Sequence, residues 1–343
     1  MDILSSLQTS GNLLKTPGLN WGIMSTARIA EKAVIPAIRT VKNNQVVAIA
    51  SRDLARATSF AAKLEIPKAH GSYQDLLNDR DVQAVYIPLP NSEHKEWTIK
   101  ALEAGKHVLV EKSFALSADD AQEMVSSALE HGLILMENFM YRYSSRFDKV
   151  MEMVRKGELG KLKLIQSSFS WNLTNPDDIR LSANLGGGSL LDLGTYCVNI
   201  QRQLAGREPV AVSCRFYQGN TTVDLQAAGS LYFGDQLESQ FFCSFAAAGQ
   251  QYTRIVGTEG VLELPHSFNN GGEKTEAILT KGNETKRLSF KTENDYKSLL
   301  EHFYQVVISR ESPRFPLADA VNQMLVLETL ARSAQQDGVW LSI

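Results

Sequence analysis

Trp21-Gly22-Ile23-Met24-Ser25-Thr26-Ala27-Arg28-Ile29-Ala30 is the stretch on which the reading of this chain turns. It passes from an apolar, strand-like start through a bend crowded with the short residues Gly22, Ser25 and Ala27 into a helical pattern. Backbone amides at a helix N-terminus hold a pyrophosphate, and the chain approaches one closely only where side chains are small. The bend is therefore expected to be a phosphate-binding turn, with Gly22, Ser25, Thr26, Ala27, Arg28 and Ile29 facing a dinucleotide. A single glycine stands where three are usual, so the surrounding pattern must carry the argument.

Outward from this turn, apolar runs at residues 46–50, 82–87, 107–110 and 133–136 alternate with amphipathic stretches. Such alternation builds an α/β Rossmann-type domain, a parallel sheet with helices on both faces. Asn91 or Ser92 can cap one helix that Gly105 ends. Ser117 and Asp120 form a capping box for the next, whose apolar stripe is Ala121, Met124, Val125, Ala128 and Leu129. Beyond about residue 160 the texture changes to β-branched and aromatic runs at 162–171, 210–217, 227–233, 237–245 and 252–264. Short turns such as Gly234-Asp235 and Gly257-Thr258-Glu259-Gly260 imply a mostly antiparallel sheet. Helical periodicity returns at 296–308 and 318–335, placed to pack on either domain. The expected organisation is an arm over 1–19, a dinucleotide-binding domain over 20–140 and a substrate-binding α+β domain over 141–343.

At 343 residues the chain exceeds what one core usually supports. Lys plus Arg, 35, nearly cancels Asp plus Glu, 38, so there is no broad basic field for nucleic acid, and the expected partner is a small molecule. Three cysteines without CxxC spacing suggest neither a disulfide framework nor a metal site. Without a long apolar run or a signal-like start, the expected location is the cytoplasm, with no membrane contact.

Three polar constellations follow the strands. After the second run stands Ser51-Arg52, where an acidic residue would take the ribose hydroxyl of NAD; Arg52, with Arg56 a helical turn on, suits a 2′-phosphate instead. NADP(H) is thus preferred, with nearby Asp53 keeping NAD(H) open. Next, Leu89, Asn91 and His94 follow one run, and Glu111 with Lys112 follows another. In open α/β sheets ligands sit beyond the carboxyl ends of the strands, so these residues are expected at the cofactor and substrate. Finally, Gly186-Gly187-Gly188-Ser189 precedes a helical stretch in which Ser189 is the expected cap. Asp192 and Tyr196 stand four apart there, an acid/base pair on one surface. An ammonium such as Lys112 would lower the phenol's pKa from about 10 by one to three units.

Together these segments, with Ala104 to Lys112 and Met136 to Arg142, resemble the glucose-fructose oxidoreductase, inositol dehydrogenase and rhizopine-catabolism (Gfo/Idh/MocA) family from Trp21 to at least Leu264. Tyr196, the Arg142 segment and Ser51-Arg52 look most like its NADP-dependent D-xylose dehydrogenase and dimeric dihydrodiol dehydrogenase branch. The resemblance implies proton chemistry by Lys112 and Tyr196, oriented by Asp192. It also implies cofactor contacts from Asn138 and Arg142, substrate contacts from Tyr141, Trp171 and Arg180, and, after the Rossmann domain, a large, open, mainly antiparallel sheet through which a homodimer or homotetramer forms. An aldose 1-dehydrogenase is the activity expected first, with a keto-sugar or dicarbonyl reductase as the alternative. A sensor of NADP(H) or sugar without turnover is the reading from another class. The family usually follows Glu-Lys with proline, whereas this chain has Ser113.

Overall fold

The computed structural model describes residues 18–268 and 273–343. Most of the expected arm lies outside the described residues, and its last residue, Leu19, already belongs to the first strand. Six short segments form a parallel sheet: β1 (Leu19–Met24), β2 (Asn44–Ala50), β3 (Lys68–His70), β4 (Ala84–Ile87), β5 (His107–Val110) and β6 (Leu135–Glu137). Their order is β3-β2-β1-β4-β5-β6. Residues of β1, β4 and β5 are buried on both faces, as parallel strands between helix layers are, so they read as continuous apolar runs. The order reverses between β1 and β4, and the crevice at that switch point is where such sheets bind ligands.

The connecting helices are α1 (Ile35–Thr40), α2 (Leu54–Lys63), α3 (Tyr73–Asn78), α4 (Asn91–Glu103) and α5 (Ala118–His131). Ser117 caps α5 as expected, accepting from the Asp120 amide at 3.1 Å. The other half of the box is absent, because the Asp120 carboxylate binds Lys95 at 2.8 Å. Leu129 points outward, 69% exposed, so the stripe is narrower than its spacing suggests. Neither Asn91 nor Ser92 caps α4; Pro90 is the cap residue, and the Asn91 amide donates across the crevice to the Gly186 carbonyl at 2.8 Å.

After α6 (Ser145–Arg155) come β7 (Leu162–Ser170), α7 (Thr195–Ala205), β8 (Ala211–Tyr217), β9 (Gln226–Tyr232), β10 (Glu238–Ser244), β11 (Gln250–Gly257), β12 (Val261–Pro265), β13 (Thr275–Lys281), β14 (Glu284–Phe290), α8 (Asp295–Ser309), α9 (Leu317–Gln335) and β15 (Leu341–Ser342). The nine strands pair in the order β14-β13-β12-β11-β7-β10-β9-β8-β15, antiparallel except where β10 lies parallel to β7. The run at 252–264 is two strands hinged at its Gly257–Gly260 turn. Helix α7 covers β7 and β10 from one side. The last helices tie the halves together: α9 lies between β8 and α5, and α8 packs on α1, with Phe303 against Trp21 at 4.8 Å between ring centroids.

A buried polar network underlies this junction. Arg142 pairs with Asp319 at 2.8 Å and Arg202 grips Glu208 through two bonds of 2.6 Å. Glu137, at the end of β6, has both carboxyl oxygens sealed off from solvent. Burial, outweighing the pull of Arg142, pushes its carboxyl up to about 8. A carboxyl raised on folding stabilises the native state fully below its unfolded value and loses that contribution as pH rises through the folded one. Denaturant unfolding of the wild type is thus expected to show stability falling between about pH 4.5 and about pH 8 by on the order of a few kcal/mol, and Glu137→Gln to flatten that slope. Parallel profiles for the two proteins would refute a protonated Glu137.

Candidate active site

The apolar strand β5 delivers Glu111 and Lys112 past its carboxyl end. Glu111 accepts a short hydrogen bond from the Tyr86 phenol and another, 2.5 Å, from Asn138 Nδ2. Lys112 Nζ reaches across the crevice to Asp192, donating to Oδ1 at 2.5 Å and to the backbone carbonyl at 2.8 Å. The second Asp192 oxygen accepts from Arg180 Nε at 2.7 Å. Burial alone would raise the Asp192 carboxyl, but the charges of Lys112 and Arg180 overcome it and hold the group at about 2. The Lys112–Ser113 peptide bond is cis. Ser113 Oγ donates to Leu191 O at 2.7 Å, a second tie between the loops.

Tyr196 opens α7, just after a π-helical turn at Leu190–Gly194. Its phenol is 8% exposed and the ring is enclosed by Phe139, Phe169, Tyr141 and Phe268. Lys112 Nζ stands 5.3 Å from the ring centroid, so the two halves of the chain do bring ammonium and phenol together. Two expectations are corrected here. Asp192 and Tyr196 do not pair, because the wider π-turn breaks the four-residue spacing and the carboxylate is spent on Lys112 and Arg180. The phenol is pushed well above its ordinary pKa, chiefly by burial and then by Tyr296, Glu111 and Asp192, so Lys112 does not lower it below 10.

A third correction concerns the loop before Tyr196. Ser189 makes no side-chain cap; its hydroxyl donates to Asp224 Oδ2 at 2.7 Å, and the same oxygen accepts the Leu190 amide at 2.7 Å. Gly188, at φ +113°, is required there, since a Cβ would fall 2.2 Å from Asp224 Oδ1.

The crevice encloses about 540 Å³. Its first-domain wall includes Ala27, Arg28, Ile29, Leu89, Asn91, Glu111 and Lys112, and its second-domain wall includes Trp171, Arg180, Asp192 and Tyr196. Other expected residues are not at that surface. Gly22 is small because Val82 and Leu76 would meet its Cβ at 2.9 and 3.1 Å, a packing requirement rather than a ligand approach. Ser25 adopts φ +111° and its hydroxyl accepts from the Ala27 amide at 3.2 Å, shaping the turn; Thr26 does not line the crevice. His94 is buried with its ring nitrogens 2.8 and 2.9 Å from the carbonyls of Ser113 and Leu89, and burial lowers its pKa to about 4. It supports both loops and does not line the crevice.

The contacts expected of Asn138, Tyr141 and Arg142 are corrected likewise. Asn138 is buried behind Glu111, Tyr141 bonds Asn199 at 2.5 Å with 1% exposure, and Arg142 is 4% exposed between Asp319 and Asn199. The short 3₁₀ turn at Met140–Tyr143 faces Met140 to the crevice and turns its neighbours inward. Conversely, Met140, Phe169, Phe268 and Tyr296 line the crevice without having been singled out. The alternation of β7 places Phe169 on an inner face; no local signal marks Phe268 or Tyr296.

The residues fit a 2′-phosphorylated dinucleotide. Ala27 offers a small side chain and Arg28 a cation just before a helix start. Ser51 is buried at the end of β2, while Arg52 and Arg56 are exposed there, Arg52 lying only 3.8 Å from Glu93. Asp53, the residue that would favour NAD, is committed to capping α2 through the Ala55 and Arg56 amides.

The model described as "Oxidoreductase family, NAD-binding Rossmann fold" matches residues 19–139, and "GFO/IDH/MocA C-terminal domain" matches 147–263. A D-xylose 1-dehydrogenase (NADP(+)) of Haloferax volcanii is 34% identical over 92% of this chain and 97% of its own. A trans-1,2-dihydrobenzene-1,2-diol dehydrogenase of Xenopus laevis is 31% identical over 88% and 93% respectively. A 3-ketoreductase from Actinomadura kijaniata, crystallised with NADP and TDP-benzene, superposes with a TM-score of 0.86 at 28% identity, covering 92% of this chain and 98% of that one. Among the described residues no helix is long and apolar enough to cross a membrane.

Proposed function

The chain belongs to the GFO/IDH/MocA family of oxidoreductases, and from that premise we propose that it interconverts a hydroxyl and a carbonyl on a sugar or related compound using NADP(H), with Lys112 and Tyr196 handling the proton. The observation that carries this reading is the approach of Lys112 Nζ to 5.3 Å from the Tyr196 ring, above the carboxyl ends of the parallel strands. The finer form, an aldose 1-dehydrogenase, is supported by likeness to the xylose enzyme.

NADP(H), when bound, supplies or accepts the hydride. Asp192 fixes Lys112, leaving one ammonium proton free for a substrate oxygen and stabilising charge that develops there. Tyr196, its pKa raised by burial, carries its proton at neutral pH and is poised to donate it to a carbonyl oxygen during reduction. The aromatic shell around Tyr196 excludes water and preserves orientation. Purified protein given NADP⁺ with aldoses, polyols and diols, and NADPH with their carbonyl partners, is expected to change nicotinamide absorbance. Silence throughout would favour a non-catalytic sensor.

Arg52 and Arg56 are the proposed holders of the 2′-phosphate. A charge-assisted hydrogen bond lost to Arg52→Ala is expected to weaken NADP⁺ binding by roughly tenfold to a hundredfold while leaving NAD⁺ nearly unchanged. Fluorescence titrations with both nucleotides check this, and equal losses would disprove it. The second sheet, covered by α7 from one side, is the proposed homodimer or homotetramer surface. The cytoplasm is the proposed compartment.

A further inference from the structure

Resting on the hydroxyl–carbonyl reading above, we infer that Ser113 is a positioning residue for that reaction. Its hydroxyl fixes the loop that carries Lys112 against the π-helical turn at Leu190–Gly194, and so sets where the ammonium stands relative to the Tyr196 phenol. Lys112 and Ser113 are neighbours in the chain, and the two residues they meet across the crevice are neighbours as well. Lys112 Nζ donates to the carbonyl and the carboxylate of Asp192, while Ser113 Oγ donates to the Leu191 carbonyl at 2.7 Å. The first-domain loop is thus joined to the second domain at two adjacent points.

The two joints differ in stiffness. The lysine bond hangs on a flexible four-carbon stem, so it holds the ammonium to Asp192 while leaving the separation of the two backbones free to vary. The Ser113 oxygen sits one carbon from its own backbone and bonds directly to another, which fixes that separation. Ser113 is fully buried, so water does not compete for the bond. On the opposite side its carbonyl stands 2.8 Å from His94 Nδ1, and the following Phe114 and Ala115 are buried too. The residue is therefore braced from the first domain and hooked to the second.

Tyr196 follows the π-turn within two residues, so a turn that drifts from the Lys112 loop changes the approach of Nζ, now 5.3 Å from the ring centroid. A misplacement of about 1 Å at reacting groups costs up to about a hundredfold in rate. Ser113 does not line the crevice, so it acts through Lys112 and not on the substrate.

The test compares purified wild type, Ser113→Ala and Ser113→Thr, and places Ser113→Ala in a Lys112→Met background as well. The first readout needs no turnover: lysines are acylated with acetic anhydride and the modified sites are followed by mass spectrometry. The Lys112 side chain is 13% exposed, and Ser113→Ala is expected to label it several-fold faster, with exposed Lys32 unchanged and Ser113→Thr, which keeps the hydroxyl, closer to wild type. With the aldose, polyol, diol and carbonyl panel and NADP(H), Ser113→Ala is expected to lower kcat by about tenfold while KM and NADP⁺ binding stay within about twofold. In the Lys112→Met background it should add no further loss, which a merely structural role would not produce. Unchanged Lys112 labelling in Ser113→Ala, or an equal kinetic loss in both backgrounds, overturns the inference and leaves the oxidoreductase reading intact. Wild-type silence with every compound fails that reading instead, and the labelling then decides whether Ser113 fixes Lys112.

Discussion

Lys112→Ala is expected to reduce kcat/KM by about a thousandfold or more while leaving NADP⁺ binding within a few-fold of wild type. The ammonium spans the crevice to the π-turn that precedes α7, and its three protons are divided between Asp192 and the space beside the phenol. Removing a fixed donor from an oxygen that gains negative charge has its whole effect in the transition state, so the loss should fall on kcat more than on nucleotide affinity. The same substitution strips Asp192 of one of the two cations that hold it at about 2. A buried carboxylate left with a single partner destabilises by up to about 3–5 kcal/mol, so thermal unfolding must be measured beside the kinetics. Lys112→Met separates the effects, restoring much of the stem's packing without the charge. Arginine is not a conservative replacement, since its planar fork cannot reproduce the two bonds to one side chain and its own carbonyl from a single nitrogen. Turnover within about tenfold of wild type in a folded Lys112→Met protein would remove the lysine from the chemistry.

How much of this was legible in the chain depended on burial. Strands β4 and β5 stand out because parallel strands are covered on both faces and so are written as apolar runs. Strand β3 spans only Lys68–His70, and β14 carries mostly exposed side chains, so neither has an apolar signature to read. Lys112 was visible for the same reason as β5: a charged residue follows directly on a buried strand. The inward direction of Tyr141 and Arg142 is not legible, because a sequence gives the position of a turn but not which of its residues face the crevice. The sign of the Tyr196 pKa shift is not legible in the sequence, because the ammonium is visible there whereas the aromatic enclosure that desolvates the phenol comes from β7, the β6 end and Phe268. Asp224, which does the capping expected of Ser189, lies far along the chain and reaches the helix only through the tertiary fold.

The enclosure of Tyr196 supports a sharp expectation. Tyr196→Phe removes one oxygen and leaves the ring that Phe139, Phe169, Tyr141 and Phe268 enclose, so folding and NADP⁺ binding should be nearly unchanged. Among the described residues the hydroxyl donates to Met140 Sδ at 3.9 Å, a weak contact whose loss costs little. Carbonyl reduction should nevertheless slow by about a hundredfold to ten-thousandfold, the span attributed to a positioned general acid. The pH dependence identifies the mechanism more closely than the loss does. Burial and the neighbouring Glu111 and Asp192 keep the phenol protonated far above neutrality, so wild-type kcat/KM for reduction should be flat from about pH 6 to about pH 9. A phenol acidified by Lys112 would instead lose its proton in that interval, and the reduction rate would fall as pH rose. A break near neutrality that disappears in Tyr196→Phe would therefore overturn the burial argument while keeping the tyrosine as the acid. A folded Tyr196→Phe enzyme with wild-type rates would exclude the tyrosine altogether.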